Sequence, residues 1–245
     1  MSGPIGLHGG GEFMPGDERF LAALLQAAGP ASHEAVRVVI VPTAAAHGRP
    51  HATAALARDG FERVARDLGL AIKVESAMVV DAASAGDPGI AAKLAGADLV
   101  YLPGGDPDLV PAILRETAAW HAIVVAHERG AVVAGASAGA MGLALRTWTP
   151  RGWRDGLGLV RGLVVAPHFD TFDRRGWEGT AEALHSAGFG YLGLDERTGV
   201  LSSGEGPNGT GGRAWRVAGQ GHAHWFPPHG EPSSASDGGT LDLPA

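Results

Sequence analysis

Ser137 has glycines two residues to either side, in Gly135-Ala136-Ser137-Ala138-Gly139, and the run Ala131 to Leu143 passes from small and β-branched residues into a helix-forming stretch. A G-x-S-x-G between a buried strand and a helix is the pattern of a nucleophile elbow. The sharp turn needs glycines where side chains would collide, and it leaves the serine hydroxyl projecting beside the free N–H groups of a helix N-terminus. The chemistry that suits this arrangement is acyl transfer: the serine attacks a carbonyl, and those N–H groups face the charge developing on its oxygen. The plain alternative is a tight strand-to-helix turn that needs small residues for packing alone, which a chain with 39 glycines can supply.

A serine nucleophile needs a base, an acid to orient the base, and an oxyanion hole. The best-placed base is His168, in Pro167-His168-Phe169-Asp170, because it closes the apolar run Leu163 to Ala166 and so falls at the strand edge that carries the elbow. The orienting acid is Glu196 or Asp195, which follow the apolar run Tyr191 to Leu194. For the oxyanion hole, Gly105 after the run Ala97 to Leu102 supplies one backbone donor and Ala138 the other. Two further chemistries are open. Leu7-His8-Gly9-Gly10-Gly11 spells the HGGG motif of α/β-hydrolase esterases, but that fold places its acid before its histidine, so His222, His224 or His229 would have to act as base. His222-Ala223-His224 puts two imidazoles on one face of a strand, as a metal site would, yet no acids stand at ligand spacing, and neither a metal nor another cofactor is expected. A catalytically silent binding module on the same fold is the remaining alternative.

The elements that must position these residues alternate between strand and helix. Apolar runs at Pro4 to Leu7, Val36 to Val41, Ile72 to Val80, Ala97 to Leu102, Ala131 to Ala134 and Leu163 to Ala166 read as strands buried on both faces. Helical patterns span Asp17 to Ala28, Ala52 to Leu68, and Leu109 to Arg129, the last broken near Thr117. This predicts an α/β fold, a mostly parallel sheet with helices on both faces and ligand-binding loops at the carboxyl ends of its strands. Near the C-terminus, Thr198 to Leu201 and a hairpin of Arg213 to Val217 with His222 to Phe226 predict a small antiparallel edge. Residues 1–228 read as a single α/β domain. The Pro-, Ser- and Gly-rich stretch 229–245 reads as a disordered tail.

Composition narrows the function classes. The 245 residues are 45% hydrophobic, enough for one large core, and a net charge of −7 offers no basic surface to recruit nucleic acid or anionic membrane. There is no cysteine, so thiolate nucleophiles, thiolate metal sites and disulfides are excluded. No apolar run approaches the ~18 residues of a membrane span, and Met1-Ser2-Gly3-Pro4 does not open a secretory signal, so the expected location is cytoplasmic.

Taken together, Gly9-Gly10-Gly11-Glu12, Val39 to Ala44, Tyr101-Leu102-Pro103-Gly104-Gly105-Asp106, Gly135 to Ala140, Pro167 to Asp170 and Gly193 to Glu196 resemble the serine peptidase family of aspartyl dipeptidase (peptidase E) and cyanophycinase. The resemblance runs from Ile5 to Phe226. It implies the fold of class I glutamine amidotransferases, which is flavodoxin-like, and a Ser-His-Glu mechanism with Ser137 as nucleophile, His168 as base, Glu196 as orienting acid, and Gly105 and Ala138 as oxyanion donors. Asp106, Arg174 and Arg175 are the candidate substrate-binding residues, either arginine being able to take a substrate carboxylate in a bidentate fork. Pro107 stands where relatives commonly carry a polar residue and offers no side-chain hydrogen bond. The expected partner is a short peptide, and the reading allows a homodimer.

Overall fold

The computed structural model describes residues 2–29, 35–149, 151–171, 184–185, 187–202 and 212–244. Its first half alternates strand and helix: β1 (Ile5–His8), α1 (Glu18–Ala27), β2 (Val36–Ile40), α2 (Pro50–Leu68), β3 (Ile72–Ser76), α3 (Ala82–Ala85), α4 (Pro88–Ala95), β4 (Leu99–Leu102), α5 (Leu109–Leu114), α6 (Ala118–Glu128), β5 (Val132–Ala136) and α7 (Ala138–Leu143). Strands dominate thereafter, as β6 (Arg146–Thr149), β7 (Gly152–Asp155), β8 (Leu163–Ala166), β9 (Gly190–Leu194), β10 (Thr198–Ser202), β11 (Gly212–Gly219), β12 (His222–Phe226), β13 (Ser233–Ser236) and β14 (Thr240–Pro244).

An eight-stranded sheet runs in the order β14-β11-β10-β1-β5-β4-β2-β3. From β1 to β3 its neighbours are parallel, and from β1 outward through β10, β11 and β14 they are antiparallel. The parallel strands alternate between two apolar cores because successive side chains point to opposite faces. Val38, Ile40, Leu99 and Tyr101 join Phe20, Leu24 and Phe61 of α1 and α2 on one face. Val39, Val100, Leu102 and Val133 join Leu94, Leu114 and Ile123 of α4 to α6 on the other. The predicted break near Thr117 is real: Thr117 ends the α5 segment and caps α6, its hydroxyl accepting from the Trp120 N–H.

Three expectations are corrected. The run Leu163 to Ala166 does not join the main sheet. As β8 it pairs in parallel with β9, inside a separate four-stranded sheet, β13-β12-β9-β8, whose Leu163, Val165, Leu192 and Leu194 pack into the core on the α4–α6 side. The predicted hairpin of β11 with β12 does not form, since β11 pairs with β10 and β14 while β12 pairs with β9 and β13. The chain changes sheets between them, with Gln220 N–H bonded to Arg197 O, Gly221 N–H to Thr198 Oγ1 and His222 N–H to Asp195 Oδ2. These bonds lace that crossing to the earlier one, residues 195–197, which carries the chain from β9 to β10. Finally, 229–244 is not a structureless tail. It supplies β13 and β14, and Leu241 and Leu243 are buried against the main core, so two alternating leucines outweigh the turn-rich composition around them.

Candidate active site

β5 ends in a sharp turn at Ser137, whose φ of 47° and ψ of −115° lie outside the ordinary regions for a non-glycine residue, and α7 begins at the next residue. The elbow glycines are needed for contact: a Cβ on Gly135 would lie 2.5 Å from the Gly139 carbonyl carbon, and one on Gly139 would lie 2.0 Å from Leu102 O. The Ser137 N–H donates to His8 O at 2.9 Å, which ties the elbow to the end of β1.

Facing it, Ser137 Oγ lies 2.9 Å from His168 Nε2, and His168 Nδ1 lies 2.8 Å from Glu196 Oε1. The histidine reaches the elbow from the second sheet, on the turn after β8, and the glutamate from the crossing between the sheets. His168 and Arg197 both adopt left-handed φ values, 52° and 55°. Their N–H groups donate to Gly9 O and Gly10 O, each at 2.7 Å, so the glycine turn after β1 clamps both. A side chain at Gly10 would occupy the imidazole's place, since a Cβ there would stand 2.4 Å from His168 Nε2.

The two adjacent acids, which sequence left as alternatives, face different ways. Glu196 faces His168. Its pKa is held below the ordinary glutamate value by the hydrogen bond from His168, against the opposing effect of burial and with help from the Thr171 hydroxyl and the Arg197 charge. Asp195 turns instead to β12, where its Oδ2 accepts from the His222 N–H and its Oδ1 lies 3.5 Å from His224 Nε2. Burial pushes its pKa up, but the hydrogen bonds from His224 and His222 outweigh that, and the net shift is downward. His222 and His224 are therefore partners of Asp195. Among the described residues no group of three or more His, Asp or Glu is arranged to hold a metal ion.

Two residues of Pro167-His168-Phe169-Asp170-Thr171 contribute beyond the histidine. Asp170 Oδ1 accepts the Glu196 N–H at 2.9 Å, and Thr171 Oγ1 donates to Glu196 Oε1 at 3.1 Å. Sequence reasoning quoted Asp170 as part of a motif without giving it a task. A carboxylate two residues after the candidate base was the signal that could have found it.

Gly105 lies in the loop after β4 and Ala138 opens α7 directly after Ser137, and the N–H of neither finds an acceptor among the described residues. The loop is anchored on both sides of Gly105. The Gly104 N–H donates to Glu12 Oε1 at 2.8 Å and the Asp106 N–H to Ala44 O at 2.8 Å. The Asp106 carboxylate is already engaged within its own turn, accepting the Asp108 N–H at 2.9 Å, and Arg151 of the β6–β7 turn stands 4.0 Å from it. Arg174 and Arg175 lie outside the described residues.

The HGGG resemblance has another explanation. His8 is fully buried, stacked on Phe20 with ring centroids 4.9 Å apart and with Nε2 2.7 Å from Asp17 Oδ1, and its Nδ1 accepts the Gly10 N–H. The three glycines after it bring backbone against the histidine and acid turns.

Comparison with known proteins gives the family and the fold. The crystal structure of a peptidase from an acI-B1 Actinobacterium is similar over 99% of this chain and 98% of its own, with 26% identity and a TM-score of 0.80. The crystal structure of a putative peptidase E protein from Listeria monocytogenes EGD-e covers 84% of this chain and 96% of its own, at 16% identity and a TM-score of 0.55, a likeness of fold. No curated protein matches the chain. The sequence profile of peptidase family S51 matches residues 7–207, most of the chain, which therefore belongs to that family, the peptidase E family of serine-type peptidases.

Proposed function

We propose that this peptidase hydrolyses short peptides through an acyl-enzyme on Ser137, with His168 as general base and Glu196 as its orienting acid. The observation that carries the reading is the unbroken chain of contacts from Ser137 Oγ through His168 to Glu196 Oε1, at 2.9 and 2.8 Å. His168 takes the serine proton as Oγ attacks the peptide carbonyl, and Glu196 stabilises the imidazolium that results. The tetrahedral oxyanion is met by the Gly105 and Ala138 N–H groups. His168 then gives its proton to the leaving amine, the C–N bond breaks, and water attacks the acyl-enzyme by the same route in reverse. No cofactor is used.

A small substrate is favoured by the loops that crowd the elbow, with Gly104 to Asp106 on one side and the glycine turn and His168 on the other. The site belongs to a chain in which no described helix is long and apolar enough to cross a membrane. The test is labelling by a fluorophosphonate together with peptide hydrolysis. Wild type should be labelled at Ser137 and should cleave dipeptides or tripeptides far faster than casein. Ser137→Ala should lose both labelling and cleavage, with turnover down by about 10⁴-fold or more and an unchanged melting temperature. Wild-type turnover in that variant would refute the reading.

A further inference from the structure

His8 and Asp17 are both fully buried, and the mechanism above uses neither side chain. Burying an imidazole and a carboxylate costs folding free energy that an apolar pair packed on Phe20 would not. The contacts show what the polar atoms hold. The Gly10 N–H donates to His8 Nδ1 at 3.2 Å, and His8 Nε2 faces Asp17 Oδ1 at 2.7 Å. Asp17 Oδ2 takes the Phe13 N–H at 2.8 Å. Between them the chain turns through Gly10, Gly11 and Phe13 with φ values of 107°, 69° and 67°, all left-handed.

The Gly10 N–H and the Gly9 carbonyl are the two ends of one planar peptide unit. Its N–H end is held by the His8 imidazole, and its oxygen end accepts the His168 N–H at 2.7 Å. With a glycine on either side, little but these bonds sets the tilt of that plane. Gly10 is buried, so an apolar residue at position 8 would leave its N–H without an acceptor. The His8 carbonyl meanwhile accepts the Ser137 N–H, so one residue is bonded to the elbow through its main chain and to the seat of His168 through its side chain. The bonds also fix the imidazole's proton. A ring nitrogen that accepts an N–H carries none, so the neutral ring holds its proton on Nε2, facing Asp17.

We propose that His8 is a positioning residue for His168: in its Nε2–H form, pinned by Asp17, it fixes the Gly9–Gly10 peptide plane whose other end seats the base. This rests on the Ser137 peptidase reading above.

The test separates the two ring nitrogens. An asparagine amide reaches the Nδ1 position and a glutamine amide the Nε2 position, so His8→Asn keeps an acceptor for the Gly10 N–H and His8→Gln does not. Both variants give up a buried contact and should melt at a lower temperature. His8→Asn should keep kcat on a short peptide within about threefold of wild type, whereas His8→Gln should lose about 10- to 100-fold with KM nearly unchanged. The rate of fluorophosphonate labelling of Ser137 should fall with kcat. Equal kcat in the two folded variants overturns the proposal, because a merely structural histidine gives no reason for turnover to follow the Gly10 acceptor. The proton is read separately, by nitrogen NMR of histidine-labelled wild type at neutral pH. A proton on Nε2 and none on Nδ1 supports the proposal and a proton on Nδ1 overturns it, whether or not the variants fold. Wild type that neither takes the fluorophosphonate nor cleaves peptides removes the peptidase reading and the role of His8 with it. Labelled wild type with equal variants removes the role of His8 alone.

Discussion

The proposed nucleophile and its proposed base come from two different sheets. Ser137 sits at the end of β5 in the middle of the eight-stranded sheet, presented by the turn Gly135 to Gly139, which packs against Leu102 O of β4 and is tied to His8 O of β1. His168 sits at the end of β8 in the four-stranded sheet, and Glu196 lies on the crossing that joins the two. His168 and Glu196 are therefore placed by tertiary contacts: Gly9 O, Gly10 O, Asp170 and Thr171. A local turn can be damaged one atom at a time without consequence elsewhere. A junction between sheets links chemistry to assembly.

The sharpest test of that contrast uses the neighbouring acids of the crossing. Glu196→Gln should lower kcat by about 10³- to 10⁴-fold with little change in melting temperature, because the imidazolium loses its counter-charge while the turn keeps its bonds. Asp195→Asn should do the reverse. The lace between the two crossings weakens by about 1–3 kcal/mol, read in denaturant unfolding, while kcat falls less than tenfold. If Asp195→Asn matched Glu196→Gln in kcat, the division of labour between the two acids would be wrong.

Smaller effects sharpen the same comparison. Gly10→Ala intrudes on the His168 ring at a position whose φ is +107°, and kcat should fall about 10- to 100-fold through displacement of the base, with Ser137 itself untouched. Kinetics on one short peptide would check this, and wild-type turnover would show that the clamp is not needed. Thr171→Val removes one of the hydrogen bonds that hold the Glu196 pKa down, so that pKa should rise. In wild type the depressed pKa contributes stability above the ordinary glutamate range that is lost as pH falls through the folded value. The variant should lose it at higher pH, with kcat at neutral pH down less than tenfold. Carboxyl titration by NMR and acid unfolding read the two together.

Sequence reading succeeded where information is local. The elbow, the strand alternation and the capped break at Thr117 each rest on residues within one turn of each other. His168 does lie against Ser137 and Glu196 against His168, but the route expected for His168 was wrong, since an apolar run such as Leu163 to Ala166 carries no mark of which sheet it will join. For the same reason β11 and β12, joined by Ala218-Gly219-Gln220-Gly221, looked like a hairpin; what separates them is the hydrogen bonding of Asp195, Arg197 and Thr198, over 20 residues earlier in the chain. The choice between Asp195 and Glu196 could not be made either, because it depends on which side of the crossing each acid faces. Helices α3 and α4 went unnoticed in an alanine-rich stretch, although Asp81 and Asp87 cap them with their side chains.

The strand formed by the last described residues bears on how the protein behaves in a crowded solution. β14 lies along β11, whose eight residues would otherwise leave a long row of backbone donors and acceptors open at the side of the sheet. In its place the molecule shows the surroundings a shorter border, with Thr240 and Asp242 facing outward and Pro244, which lacks an N–H, at its end. Edge-to-edge recruitment of another chain is discouraged there by charge and by a missing donor. Trimming the chain before residue 230 would strip that border, uncover Trp215, which pairs with Leu241, and leave the β11 edge open to other copies.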